Sequence, residues 1–150
     1  MATYRGTHFT GKDVIADTDF IASLNRVNKY AGECNVKVWV TSSIRNINQQ
    51  LKGAIVRPAS RSCHYVGHAI DVNVLYNEVL YNSKKLRKSS FASLPDAIVK
   101  FIEFIRADKE LRWGGDFNTQ DPVHIDDNLF RRQEVIYLAK LNSRLDQLNT

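Results

Sequence analysis

Apolar residues recur at helical spacing in three segments of the chain. A helix is predicted over residues 19–31, with Asp17 or Thr18 as its cap, and its core stripe is Phe20, Leu24, Val27 and Ala31. A second helix is predicted over residues 93–110, with Pro95 in its first turn and a core stripe of Ile98, Phe101, Ile102 and Ile105. The third covers residues 131–148 and turns Val135, Leu138, Leu141 and Leu145 inward.

Strands are predicted between these helices. Residues 36–41 are rich in β-branched and aromatic side chains, and residues 69–75 alternate between an apolar face and a face with Ala69, Asp71 and Asn73. Shorter strands are predicted over residues 111–117 and 122–126, and a short helix over residues 46–55. Together these elements predict an α+β fold, in which helices flank a small, mainly antiparallel sheet whose strand ends carry polar clusters.

Length and composition fit one domain over residues 1–150. Of the 150 residues, 43% are hydrophobic and 25% are charged, which is ordinary for a globular domain. The formal net charge is +5, and part of it lies in residues 82–90. We interpret this segment as a solvated loop, because no aromatic residues interleave its cations, and we expect no nucleic-acid partner.

Three features of the sequence bear on where the protein acts and in what state. It has no apolar run of 18 residues, so no membrane insertion is expected, and its N-terminus lacks the apolar region of a signal peptide, so the route of export stays open. Cys34 and Cys63 are interpreted as two buried thiols, with a disulfide as the alternative. We expect a monomer.

Residues 62–71, SCHYVGHAID, hold a dense set of possible metal ligands. His64 and His68 share a face only on a helix, whereas Gly67 and the alternation that follows predict a turn into a strand. On that strand His68 falls on the apolar face and Asp71 on the opposite one. A turn at Gly67 brings His64 back beside Asp71, so these two are favoured as ligands and His68 is excluded from their site.

His124, in the strand predicted over residues 122–126, offers a third ligand. Two histidines and one carboxylate suit zinc, with a position left for water. A carboxylate that is not a ligand can take a proton from that water, and Asp121 is placed for this role. The residues alone leave plainer interpretations open, with structural histidines, a solvated Asp71, and Asp121 as a turn former before Pro122.

Four segments resemble, in order, the motifs of one enzyme family. Residues 62–71 match the pattern Ser-x-His-x-x-Gly-x-Ala-x-Asp, residues 113–117 read WGGDF, and residues 121–124 read Asp-x-x-His. Upstream, residues 41–45, TSSIR, followed by Gln50, are similar to a Thr-Ser-Gly-Tyr-Arg…Gln segment. Together they resemble the zinc D-alanyl-D-alanine carboxypeptidases and their relatives, the L-alanyl-D-glutamate endopeptidases of bacterial cell walls and phage lysins.

The resemblance implies a DD-peptidase-like fold with one zinc ion at the sheet, bound by His64, Asp71 and His124. It implies that Asp121 is the general base toward the attacking water. It also implies that Arg45 contacts the substrate, where a guanidinium can polarise the scissile carbonyl and stabilise the developing oxyanion.

Other residues receive lesser roles from the same resemblance. Gln50 and Ser62 are expected to contact substrate, although Ser62 also suits the orientation of a ligand or the cap of a turn. Asp116 is expected to brace the site behind the ligands, through the histidines. Asp126 suits either a similar brace or a solvated position.

The implied function is zinc-dependent hydrolysis of an amide bond in peptidoglycan stem peptides. Endopeptidases of this family more often carry aspartate as the base, so Asp121 favours cleavage between L-alanine and D-glutamate. The alternatives are a D,D-carboxypeptidase or dipeptidase that releases D-alanine, and a non-catalytic zinc-binding module on the same scaffold. The expected partner is a stem peptide, and the expected place of action is the bacterial cell wall, in the periplasm or outside the cell.

Overall fold

The computed structural model describes residues 1–47 and 61–148. The strands are β1 (Ala2–Tyr4), β2 (Phe9–Gly11), β3 (Val14–Ala16), β4 (Lys37–Ser42), β5 (Ala69–Tyr76), β6 (Val79–Tyr81), β7 (Arg112–Trp113) and β8 (His124–Asp126). The α-helices are α1 (Ile21–Cys34), α2 (Asp96–Ala107), α3 (Leu129–Arg132) and α4 (Glu134–Leu148). Most of the helix predicted over residues 46–55 lies outside the described residues.

The main sheet is built around β5. Its strand order is β2-β4-β5-β8-β7, and β6 also pairs with β5. The β2–β4 pair is parallel, and the pairs that β5 makes with β4, β6 and β8 are antiparallel, as is β7 with β8. Strands β1 and β3 form a separate antiparallel pair. The predicted α+β class with a mainly antiparallel sheet is therefore confirmed.

The two faces of β5 enter different packed clusters. Ile70, Val72 and Val74 belong to the main core together with apolar residues of α1 and α2, as the alternation predicts. Ala69 points the other way and packs in a second cluster, which includes Tyr137 of α4. Asp71 shares this second face, because it lies two residues beyond Ala69.

The first two predicted helices form with altered starts. A 3-10 turn at Thr18–Phe20 precedes α1, and no side chain caps either element, because the Asp17 carboxylate bonds His68 and Lys140 instead. Helix α2 is shorter than predicted at both ends, but its predicted core stripe is buried throughout. The helical periods were therefore right. Asp17 is the N-cap residue of the 3-10 turn that leads into α1, as predicted, but its side chain makes no capping bond.

The third predicted helix is interrupted at Gln133, between α3 and α4. Its inward face is centred on Tyr137 and Leu141, which are 0% and 1% exposed. Val135 was predicted to point inward, but it is 82% exposed. At about 100° per residue, Val135 lies nearly opposite Tyr137 on the helix, so a packed Tyr137 forces Val135 outward.

The cysteines and the lengths of the described helices bear on two further expectations. Both Cys34 and Cys63 are buried free thiols, as interpreted from the sequence. Among the described helices, none has the length and apolar character needed to cross a membrane.

Candidate metal centre

Three buried side chains meet at the second face of the sheet. His64 Nε2 lies 3.2 Å from Asp71 Oδ1 and 3.2 Å from His124 Nδ1, and His124 Nδ1 lies 3.3 Å from Asp71 Oδ1. The three residues are between 1% and 7% exposed. We call this nearly equilateral triangle of ligand atoms the His–Asp–His cluster.

Each histidine of the cluster has its other ring nitrogen bonded to a buried acceptor. His64 Nδ1 lies 2.5 Å from the Ser43 carbonyl oxygen, and His124 Nε2 lies 2.6 Å from Asp126 Oδ2. Because a carbonyl and a carboxylate only accept, these nitrogens carry the protons. In the neutral rings, His64 Nε2 and His124 Nδ1 therefore present lone pairs to the centre of the triangle.

The donor set fits a small cation. A tetrahedral zinc ion with ligands at about 2.0 Å separates those ligands by roughly 3.3 Å, which matches the triangle. Two lone pairs and a carboxylate oxygen repel one another at this distance unless a positive charge lies among them. Two histidines and one carboxylate also form a common catalytic zinc set.

The charges around His124 favour a cation as well. Burial alone would lower the pKa of His124, but its bonds to Asp126 and Asp71 raise that pKa to about 9. Burial likewise opposes ionisation of Asp71, yet the two histidines hold the pKa of Asp71 well below its ordinary value. The site is thus arranged for negative carboxylates around positive charge, whether a proton or a metal ion supplies it.

Backbone geometry places the three side chains together. Asp71 and His124 are paired directly across β5 and β8. His64 lies on a 3-10 turn, Cys63–Val66, which ends at Gly67 with a φ of 74°. An alanine Cβ at Gly67 would lie 2.5 Å from the Asp17 nitrogen, so this position needs glycine both for its conformation and for space.

A register shift in β4 brings two further groups to the cluster. The shift falls between Val40 and Ser42, so Ser42 lies opposite Asp71 and the chain then turns toward the site. The carbonyl of Ser43 thereby reaches His64, and the Arg45 guanidinium donates to Asp71 Oδ2 at 2.7 Å. Arg45 thus orients the Asp71 carboxylate, and its half-exposed side chain also lines the cleft beside the cluster.

The glycines of the WGGDF segment support the turn that carries Asp121 and His124. Within this turn, the His124 nitrogen donates to the Asp121 carbonyl at 3.0 Å, and the Asp121 nitrogen donates to the Gly114 carbonyl at 2.9 Å. The Trp113 indole donates to the Pro122 carbonyl at 2.7 Å. A Cβ at Gly114 would lie 2.2 Å from the Asp121 carbonyl oxygen, so the close approach of the two segments requires glycine there.

A cleft of about 580 Å³ opens over the cluster. Asp121, Phe117, His64 and His124 are among the residues that line it. Burial raises the pKa of Asp121 above its ordinary value, and the nearby Asp71 charge raises it further. A carboxylate with a raised pKa is a stronger proton acceptor, so Asp121 lines the cleft as a candidate for proton transfer.

The other candidate residues of the sequence analysis lie in different places. Ser62 Oγ accepts from the His64 nitrogen and so caps the turn that carries this histidine, and Ser62 also lines the cleft. Gln50 lies outside the described residues. His68 lies apart from the cluster, between the carboxylates of Asp17 and Asp127 at 2.7 and 2.6 Å.

The brace behind the ligands is Asp126 rather than Asp116. The Asp116 carboxylate pairs with Arg106 and Lys88, whereas Asp126 accepts from His124 and from Arg112. The strand pattern held a signal for this, because residues two apart on a strand share a face and Asp126 follows His124 at that spacing. The Ser43 carbonyl had no such signal, since the bulge that positions it is not visible in the side-chain pattern.

Comparison with known proteins agrees with the motifs. The sequence model of the family described as D-alanyl-D-alanine carboxypeptidase matches residues 56–127, just under half of the chain. This segment contains the whole His–Asp–His cluster and Asp121. The match supports the family that the four motifs indicate, and together with the donor set it supports a metallopeptidase.

Among curated proteins, none matches the chain. Among solved structures, the chain is similar to the crystal structure of the Serratia marcescens L-Ala D-Glu endopeptidase ChiX, with 21% identity and a TM-score of 0.49 over 78% of this chain and 83% of that one.

Proposed function

We propose that the protein is a zinc-dependent peptidase that hydrolyses the bond between L-alanine and D-glutamate in peptidoglycan stem peptides. The observation that carries this proposal is the combination, in one cleft, of the His–Asp–His cluster with Asp121. An aspartate in the Asp-x-x-His segment favours the endopeptidase over the terminal carboxypeptidase within the family that the motifs resemble.

In this scheme, different residues of the cleft have different roles in amide hydrolysis. His64, Asp71 and His124 would hold a zinc ion, which would supply Lewis acidity toward a carbonyl and a water. The Asp121 carboxylate accepts the proton of the attacking water and returns it to the leaving amine. Arg45, fixed by Asp71, directs its remaining N–H groups toward the carbonyl oxygen, where negative charge develops.

The test is product analysis of digested peptidoglycan by mass spectrometry, with zinc content measured on the same protein. We expect new peptides that begin with D-glutamate. The variant Asp121→Ala should retain zinc and lose turnover, because Asp121 is not a ligand in this scheme. Asp13→Ala, which removes an exposed carboxylate paired only loosely with Arg5, is the matched control and should keep both.

Other outcomes identify the alternatives. Release of a single terminal D-alanine would indicate a carboxypeptidase or dipeptidase, which the description of the matching family favours. A zinc-loaded protein that is inert on several peptidoglycan types would indicate a non-catalytic binding module. Loss of zinc from Asp121→Ala would contradict the role of Asp121 as the base.

A further inference from the structure

Most charges in the cleft already have a partner. Arg112 forms two short bonds to Asp126, at 2.7 and 2.6 Å, and Arg45 is paired with Asp71. The carboxylate of Asp116 forms ion pairs with Lys88 and Arg106, which do not line the cleft. The charged residues of the lining that remain include two arginines, Arg61 and Arg131.

Arg61 lines the cleft and has only a weak partner among the described residues. The next residue, Ser62, is fixed at both backbone groups by the hydroxyl of the fully buried Tyr137, at 3.1 and 3.0 Å. The Arg61 side chain is only 17% exposed, and its Nε is buried without a hydrogen-bond partner among the described residues. Its ion pair is a 3.4 Å contact with Glu134, which is 59% exposed, and such a surface contact contributes little.

Arg131 enters the same cleft from α3. Its guanidinium lies over the Phe130 ring at 5.3 Å, and no carboxylate among the described residues pairs with it. The turn before α3 is anchored by Asp126, which accepts from the Asn128 nitrogen at 2.8 Å and also holds His124. Only a few residues of the chain separate Arg131 from Asp126, the residue that holds His124 in the His–Asp–His cluster.

We propose that Arg61 and Arg131 form a carboxylate clamp, which binds the free α-carboxylate of the residue whose amine leaves. This inference rests on the proposed function for its substrate. D-glutamate in a stem peptide continues through its γ-carboxyl, so its α-carboxylate stays free beside the scissile nitrogen. A terminal D-alanine presents a carboxylate at the same position. Guanidinium groups suit either one, because they bind carboxylates through two parallel hydrogen bonds.

The test is a binding titration of the zinc-loaded protein that needs no turnover. The probes are a γ-linked D-glutamyl peptide with a free α-carboxylate, the same peptide as its α-amide, D-alanine, and D-alaninamide. We expect the acid of at least one pair to bind tenfold or more tightly than its amide. Arg61→Gln and Arg131→Gln should each remove about tenfold or more of the acid's affinity and leave the amide's unchanged, since a bond to a charged group is lost.

The matched control is Arg5→Gln, which makes the same charge change at an exposed arginine outside the cleft and should leave all affinities unchanged. Equal binding of acid and amide by the wild type, or equal loss of both in the variants, would overturn the clamp. If Arg61→Gln does not fold, Arg131→Gln carries the test, because Arg131 is exposed. The acid that binds more tightly shows whether the clamp recognises the carboxylate of D-glutamate or that of D-alanine. Failure of the proposed function appears separately, as intact stem peptides in the digestion.

Discussion

Asp126 accepts a hydrogen bond from His124 Nε2 at 2.6 Å while 1% exposed, and so it sets which nitrogen of His124 faces the His–Asp–His cluster. Burial opposes its ionisation, but His124 and Arg112 lower the pKa of Asp126 to about 2. A permanent negative charge therefore lies directly behind a ligand, where it raises the basicity of the ring.

Replacing Asp126 by Asn should lower zinc affinity about tenfold to hundredfold, because the ring keeps an acceptor but loses the charge behind it. Competition with a chelator of known affinity measures the effect. Asp116→Asn is the matched control, since Asp116 lines the same cleft but pairs with Arg106 and Lys88. If Asp116→Asn weakens zinc binding and Asp126→Asn does not, our assignment of the brace is wrong.

Gly114→Ala should disturb the site without replacing a ligand. The new Cβ would lie 2.2 Å from the Asp121 carbonyl oxygen and 2.8 Å from the His124 Cβ, so the turn between them must move. We expect a loss of about 1–3 kcal/mol in unfolding free energy, as for overpacked sites, together with weaker zinc binding. Denaturant titration and chelator competition measure the two effects.

Gly32→Ala is the control for this variant. Its Cβ meets the side chain of His8 rather than backbone, and it lies in α1, where alanine favours the helix. It should keep full zinc affinity. Weakened zinc binding in Gly32→Ala, at the level seen for Gly114→Ala, would show that the loss does not come from the turn.

His68 should make stability depend on pH. Burial alone would lower the pKa of His68, but the carboxylates of Asp127 and Asp17 raise it above its ordinary value. Because the folded pKa exceeds the unfolded one, about 6.5, the stabilisation is complete below that value and is lost as pH rises through the folded pKa. The difference in unfolding free energy between wild type and His68→Gln should therefore be largest near pH 6 and shrink toward pH 9.

Taking the difference in unfolding free energy between wild type and His68→Gln removes the contribution of titrating groups that both proteins share. His8→Gln provides the comparison, since no carboxylate of the described residues bonds the His8 side chain. A difference between wild type and His68→Gln that stays constant over this range would contradict the ion-pair account of His68.

Cys63 should be inert although it adjoins a ligand. Its side chain is 1% exposed, and burial, with a smaller effect of Asp126, raises the pKa of the thiol to about 12. The thiolate is the reactive form, so native protein at pH 8 should resist iodoacetamide, and unfolded protein should be alkylated at both cysteines. Peptide mass mapping measures this, and rapid native labelling of Cys63 would show that the thiol is accessible.

The sequence pattern located the helical segments and strands β4, β5, β7 and β8, but it did not locate the three-residue strands β1, β2, β3 and β6. The periods of 3.6 and 2 located α1, α2 and β5 with their buried faces, because burial of one face is a local property of the pattern. Strand β4 was located by its β-branched and aromatic residues. The pattern failed at Val135, since one long amphipathic period cannot reveal a break at Gln133. It also failed at the start of α1, because Asp17 bonds groups that are 51 and 123 residues away in the chain.

The sequence by itself indicated the candidate ligands, through strand alternation and the motifs that resemble a known family, and thus the kind of chemistry to expect. Only the tertiary structure decided which atoms of those residues face each other, since the tautomers depend on Ser43 and Asp126, and their positions depend on a bulge and a strand register. It likewise decided that Asp116 pairs with Arg106 and Lys88 and that Arg61 and Arg131 lack strong partners in the described part of the chain. The physical reason is that charges and hydrogen bonds are satisfied by whichever groups the fold brings within about 3 Å, and spacing along the chain does not specify those groups.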